Sequence, residues 1–363
     1  MGRASKAWNV AKILAFVAIL GFLYLIIRRI GVQKVWSLLQ QVPTKMIYLA
    51  AALYVAAFFL WTLRWQLLMK REHRKPFHVL FPVYMAGVFG NIVTPGARVG
   101  GEPLRAYYMS RIYGGAKTSH LGTVLAAKAG NAVVFMGLVL FSVTFVTLFV
   151  PINIWLKILL EGFVLLIVAA MVSGFLLREK IGVRSPLMGK LLGWIYNLPI
   201  LRVLRRRFRT YERFESYMIE KLDNVFAPVV RTVTKPKAIA KTIFTTLASW
   251  MIFFLAHHIL FASLGADIDY LGVLIIVCIS NFLGDMAASP GGAGFMETIM
   301  IGLCAGFGVD TSIAAAVTLL SRALFYATGI GIGGLCFAAL VLIYGRRPAN
   351  SSNTASEHPE SGS

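Results

Sequence analysis

Apolar residues fall along this chain in long blocks. Stretches near 8–27, 46–68, 118–150, 154–177, 238–263 and 311–343 are almost continuously apolar, and each is as long as or longer than the roughly 18 residues that mark a membrane-crossing helix. The first block is not followed by a small-residue cleavage site and is expected to be retained as a helix. Two further apolar regions, 77–117 and 270–308, are interrupted. The pattern predicts an all-α polytopic membrane protein.

Both interruptions follow one pattern. The first runs Thr94-Pro95-Gly96-Ala97-Arg98-Val99-Gly100-Gly101-Glu102, the second Ser289-Pro290-Gly291-Gly292-Ala293-Gly294-Phe295-Met296-Glu297. A small hydroxyl residue precedes Pro-Gly, and a Glu stands seven positions after each Pro. Pro and Gly break helices, and a carboxylate is costly in hydrocarbon. Broken backbone at membrane depth survives where protein buries it or where it lines a cavity. Two such breaks at matching places point to an inverted repeat with two re-entrant or broken-helix segments, and to a site between the repeats.

Composition supports this class: the chain is 58% apolar and carries a net charge of +21, with a mean hydropathy of +0.74. In a soluble protein that charge would suggest nucleic acid; here it reads as membrane orientation. Residues 178–241 hold fifteen basic and five acidic side chains, which places them in the cytoplasm. Lys70, Arg71, Arg74 and Lys75 mark a second cytoplasmic loop, and Arg346 and Arg347 a cytoplasmic end. Asp267 and Asp269 mark an external loop, whereas Arg28, Arg29, Lys34 and Lys45 spoil the pattern by falling outside. These sides are mutually consistent if 77–117 dips in and returns to the cytoplasmic face while 270–308 dips in from outside. Residues 77–94 and 270–288 crossing fully is the alternative.

The resulting organisation is an N-terminal helix and loop at 1–45, a first membrane repeat at 46–177, a basic cytoplasmic linker at 178–237, a second repeat at 238–345 and a tail at 346–363 expected to lack fixed structure. Within the linker, 201–230 reads as a basic amphipathic helix at the inner surface. Cys278, Cys304 and Cys336 read as small core residues.

Charged residues inside spans are candidate functional residues. Lys128 follows Glu102 by 26 residues and Arg322 follows Glu297 by 25. Arg98, Arg105, Arg111, Lys128 and Arg322 are read as an electropositive path suited to phosphate, with marking the cytoplasmic side as the alternative reading of Arg98 and Arg111. Glu102 and Glu297 have two readings: pairing with bases or capping helix starts, or protonating or binding an amino group. Asn91 and Asn281 precede the breaks and suit caps or Asx turns, and Asp285, five residues before Pro290, suits a hydrogen bond to the second turn. Asn91, Pro95, Gly96, Gly101, Asp285, Pro290, Gly291 and Gly292 are therefore expected to shape or gate the site. The adjacent His257 and His258 face different ways on a helix, and no metal or cofactor site is read from the sequence.

At Asn91, Pro95, Gly101-Glu102, Arg105, Pro290-Gly291-Gly292, Glu297 and Arg322 the chain resembles the transmembrane region of lysylphosphatidylglycerol synthases, the flippase-like integral membrane family. Ala127-Lys128 and Asn131 depart from an acidic–basic pair with a nearby Asp that the family often shows. The resemblance covers about residues 8 to 343 and implies translocation or presentation of an anionic, aminoacylated or polyprenyl-phosphate-linked lipid in the cell membrane. Full-length synthases add a soluble aminoacyl-transfer domain; here a short tail follows Gly345, so a transporter-like role is expected rather than an enzyme. Membrane lipids are the expected partners, with a lipid-modifying enzyme or glycosyltransferase as a further one. A small-solute carrier and a non-transporting membrane subunit are the competing classes.

Overall fold

The computed structural model describes residues 32–69, 74–94, 100–150, 185–197, 210–286 and 294–345, with a few isolated positions between 154 and 165. Among them the regular structure is helical: α1 (Val32–Gln41), α2 (Thr44–Leu68), α3 (Phe77–Val93), α4 (Gly101–Tyr113), α5 (Lys117–Phe149), α6 (Pro186–Asn197), α7 (Tyr211–Thr234), α8 (Pro236–Ser263), α9 (Tyr270–Met286), α10 (Phe295–Gly306) and α11 (Thr311–Tyr344). By length and composition α2, α5, α8 and α11 can each cross a membrane. The expected spans at 8–27 and 154–177 and the tail at 346–363 lie outside the described residues, apart from isolated positions of the second.

Local chemistry sets the helix ends. Thr94 is extended (φ −84°, ψ 128°), as suits a residue before proline, and α3 stops there. Gly114 and Gly115 take positive φ of 69° and 79°, so the chain turns from α4 into α5 at residues free of a Cβ penalty. The Asp310 carboxylate caps α11 by accepting from the backbone N–H groups of Ser312 (2.8 Å) and Ile313 (3.3 Å), which the first helical turn cannot satisfy itself.

The two broken regions become two helix pairs of nearly equal dimensions. Helices α2, α3, α4 and α5 have 25, 17, 13 and 33 residues; α8, α9, α10 and α11 have 28, 17, 12 and 34. At 1.5 Å per residue, α3 and α9 are about 25 Å long and α4 and α10 about 20 Å or less, short of the roughly 30 Å of hydrocarbon. Their packing matches too. Helix α3 packs on α4 and α4 on α5, as α9 packs on α10 and α10 on α11. Across the halves α2 lies along α8, α3 against α11 and α9 against α5. Each contact maps onto its counterpart when the two sets of four helices are exchanged.

Close approach depends on missing side chains. A Cβ on Gly333 of α11 would strike the Met85 carbonyl and Phe89 of α3, and one on Gly329 would strike Ile92, so glycines let these helices pack backbone to backbone. Gly101 at the start of α4 lies against the Gly87 carbonyl of α3 in the same way. One apolar core spans α2, α5, α8, α9, α10 and α11 around Tyr54, Phe254, Phe261 and Val277. A second joins α2, α3, α4 and α11 around Phe58, Trp65, Leu80 and Met85.

Part of the linker segment packs on the long helices. Helix α7 runs along α5, where Gly122 leaves room for the Asn224 and Val225 carbonyls. The Tyr211 hydroxyl donates to the Gly189 carbonyl of α6 (2.8 Å), and Phe214 is fully buried. The amphipathic helix expected from 201 begins at Tyr211 in the described residues; 201–209, with its arginines, lies outside them.

Candidate functional site

Each break positions a carboxylate on the first turn of the short helix that follows it, and each carboxylate holds a base on the next long helix. Glu102 of α4 accepts from Lys128 of α5 (Nζ–Oε1 2.9 Å), and Glu297 of α10 accepts from Arg322 of α11 (Nε–Oε1 2.7 Å). The breaks are tied differently. At the first, the Asn91 side-chain oxygen accepts from the Gly101 backbone N–H (2.6 Å) and joins the end of α3 to the start of α4. At the second, Gly294 has φ 83° and its N–H donates to Glu297 Oε2 (2.6 Å). Glu297 therefore pairs with a base and caps a helix start at once. The Asn281 amide donates instead to the Val277 carbonyl of its own helix (2.9 Å).

The first pair opens onto a cavity of about 220 Å³ between α2, α3, α4, α5, α8, α9 and α11. The Glu102 side chain is 7% exposed and that of Lys128 50%. Arg64 of α2 and Arg105 of α4 also line the cavity, with Asn131, Asp285 and the rings of Trp61, Tyr84, Trp250 and Phe325. Arg105 stacks its guanidinium 3.9 Å from the centre of the Tyr84 ring, a cation–π contact; its stem occupies the space a Cβ on Gly87 would fill. Arg64 donates from Nη1 to Asn131 Oδ1 (2.6 Å) and to the Thr246 hydroxyl (3.1 Å). Asn131 Oδ1 accepts a second bond from Trp250 Nε1 (3.2 Å).

Four buried polar atoms of cavity-lining residues have no hydrogen-bond partner among the described residues: Arg64 Nε, Arg105 Nε, Trp61 Nε1 and Glu102 Oε2. Buried polar atoms are normally satisfied, and leaving one unmet costs about 1–3 kcal/mol. Three of the four are donors, two of them on arginines that stay charged.

The second pair lies beside a cavity of only about 40 Å³, lined by Tyr54, His257, Asn281, Ser321 and Arg322 among others. The pair is buried: the Arg322 and Glu297 side chains are 9% and 6% exposed. His257 Nδ1–H donates to the Phe253 carbonyl (2.9 Å) and its ring lies edge-on to Tyr54, whereas His258 faces Tyr270.

A larger cavity, about 630 Å³, lies next along α2 and α5, lined by Leu68, Met69, Lys75, His120, Thr123 and Asp223 among others. The Trp65 indole donates to the Thr123 hydroxyl (3.2 Å) between it and the charged cavity. It lacks the cluster of buried arginines and is read as an approach, not as the centre.

The structure thus brings Glu102, Arg105, Lys128 and Asp285 to one cavity and Glu297 with Arg322 to another. Asp285 also lines the first cavity, because α9 packs on α5; the second turn, which it is expected to bond, lies outside the described residues. Arg111, read as part of the path or as a marker of the cytoplasmic side, donates to the Tyr107 hydroxyl (3.0 Å) in the last turn of α4. Arg98, Pro95, Gly96, Pro290, Gly291 and Gly292 lie outside the described residues. Sequence reasoning missed Arg64 and Trp61. The available signal for Arg64 was a base inside the span read at 46–68.

The family described as "Lysylphosphatidylglycerol synthase TM region" matches residues 11–333. A UPF0104 membrane protein of Methanothermobacter thermautotrophicus is 26% identical over 302 residues, covering 81% of this chain and 85% of that protein. One of Pyrococcus horikoshii is 24% identical over 321 residues (84% and 90%), and one of Methanocaldococcus jannaschii 25% over 317 (85% and 89%). With the match running over nearly the whole chain, and an all-helical architecture with four long apolar helices beneath it, this protein belongs to the lysylphosphatidylglycerol synthase transmembrane-region family.

Proposed function

We propose that the protein is a lipid translocase that draws the phosphate-bearing headgroup of an anionic or lipid-linked substrate into the Arg64–Arg105–Lys128 cavity and passes it across the cell membrane. The observation that carries this reading is the set of unmet donors on Arg64, Arg105 and Trp61 around one cavity inside the apolar helices. Phosphate oxygens match arginine donors in geometry and charge, and they offset the cost those donors bear unmet. The unmet Glu102 oxygen suits a donor on the same headgroup. Transfer of the headgroup alone through hydrocarbon is prohibitive; a charged path between helices removes that barrier while the acyl chains stay in lipid. In this reading the basic segment 178–241 and the end of α11 face the cytoplasm, the helix pairs α3/α4 and α9/α10 enter from opposite faces, and the 630 Å³ cavity is the cytoplasmic approach. The role is transport, with no covalent step.

The test is reconstitution into liposomes carrying a fluorescent phosphatidylglycerol, with dithionite quenching to read the fraction that changes leaflet. Wild type should move the lipid, and Arg64→Ala and Arg105→Ala should not, while eluting as folded protein. Equal movement by wild type and both variants would sink the proposal. Flux of a small anion with no lipid movement would make the protein a solute carrier.

A further inference from the structure

The cavity beside Arg322 shares three walls with the first. Trp61, Trp250 and Phe325 line both. Trp61 and Trp250 meet edge to face with ring centres 5.9 Å apart, and Phe325 packs on Phe253 at 6.1 Å. On one side stands an ion pair with a half-exposed base in a cavity of about 220 Å³; on the other a buried ion pair beside about 40 Å³. The second space holds little more than a water or two, although its charged residues occupy the corresponding places in the matched set of helices.

We propose that Arg322 and Glu297 form a second binding station for the same anionic headgroup, and that the Trp61–Trp250–Phe325 wall is the partition the headgroup must displace to reach it. The proposal rests on the reading of the first cavity as a headgroup site. Three features support it. Arg322 offers phosphate the same guanidinium chemistry as Arg64 and Arg105. The partition is made of side chains from three different helices, α2, α8 and α11, so a shift of one long helix against another opens it without breaking backbone hydrogen bonds. Its Trp61 Nε1 is buried without a partner among the described residues, a donor at the boundary for an oxygen passing through. Protein sites of this kind exchange between states in which one side is open, and the unequal volumes are those of a molecule open at the first station and closed at the second.

Thiol accessibility tests this without a transport assay. In protein with Cys278, Cys304 and Cys336 changed to Ala, one cysteine is placed in each cavity, Ala127→Cys in the first and Ser321→Cys in the second. Both are treated with the small anionic reagent 2-sulfonatoethyl methanethiosulfonate. With the partition closed in about 90% of molecules or more, Ser321→Cys should react about ten-fold or more slowly than Ala127→Cys. Phe325→Ala, or Trp61→Ala should the first variant not fold, should bring Ser321→Cys up to the rate of Ala127→Cys. Dihexanoyl phosphatidylglycerol, but not dihexanoyl phosphatidylcholine, should then protect Ser321→Cys, and Arg322→Gln should abolish that protection.

Equal reactivity of the two positions with the wall intact would overturn the partition, as would an unchanged slow reaction of Ser321→Cys in both wall variants without lipid. If the anionic lipid protects Ala127→Cys but never Ser321→Cys, the second station falls and the first reading stands. If Ala127→Cys is itself unreactive, the first reading falls and takes this one with it.

Discussion

Lys128 and Arg322 hold matched carboxylates yet live in different surroundings: the ammonium of Lys128 is half exposed at 2.9 Å from Glu102, while the guanidinium of Arg322 is buried at 2.7 Å from Glu297. The contrast predicts different costs for breaking each pair. Removing one partner of a buried ion pair strands the other and costs about 3–5 kcal/mol, whereas a solvent-accessible pair contributes about 1 kcal/mol or less. Glu297→Gln should therefore lower the melting temperature in detergent sharply, and Glu102→Gln, which leaves behind a half-exposed ammonium with access to water, only slightly. Similar melting of the two variants would contradict the burial of the second pair.

Arg64 should matter to lipid movement more than its place near the end of α2 suggests. It is held by Asn131 and Thr246 through Nη1 and leaves Nε toward the cavity. Arg64→Lys keeps the charge but loses the planar fork. A loss of one charge-assisted contact of about 1.5–3 kcal/mol predicts about a ten- to hundred-fold slower translocation for Arg64→Lys in the fluorescent lipid assay. A rate unchanged by this substitution would remove Arg64 from the site.

Two glycine substitutions should act in opposite directions. A Cβ on Gly101 collides with the Gly87 carbonyl, whereas one on Gly137 in α5 meets nothing within 4 Å. Gly101→Ala should destabilise by about 1–3 kcal/mol through overpacking. Gly137→Ala should stabilise by about 0.4–1 kcal/mol by restricting the unfolded chain. Thermal unfolding of the two purified variants compares them directly.

The cap at Asp310 predicts a pH dependence. Its carboxyl is held below the ordinary 3.8, first by the hydrogen bonds from Ser312 and then, against a small burial cost, by Ile313 and the nearby Lys34. A carboxylate with a depressed folded-state value contributes stability that is full above the ordinary value and is lost as pH falls through the folded one. Asp310→Ala should therefore cost about 1 kcal/mol at neutral pH, and the gap to wild type should close as the pH is taken below 3.8. A gap that persists in acid would point to packing instead of the charge.

The helices and the two charged pairs could be read from the chain because they are written locally. The Pro-Gly breaks stand in apolar sequence, and the 26- and 25-residue separations join Glu102 to Lys128 and Glu297 to Arg322 within consecutive elements. Arg64 could not be read the same way. Its partners Asn131 and Thr246 lie 67 and 182 residues away, and only the packing of α2 against α5 and α8 brings them together. That Asp285 lines the same cavity could not be read for the same reason: the sequence does not show that α9 rests on α5. Asn131, read only as a departure from a family pattern, accepts from both Arg64 and Trp250. A neutral amide oxygen there does work that no periodicity signals.

That amide oxygen has two lone pairs, and both are spent: one on the guanidinium that faces the cavity, the other on an indole of the wall behind it. Anything that draws Arg64 toward a new partner loosens the grip of α2 on α5 at the same point where α5 holds α8. In the proposed translocase, filling the first space and slackening its far wall are then a single equilibrium, with Arg64 as its latch.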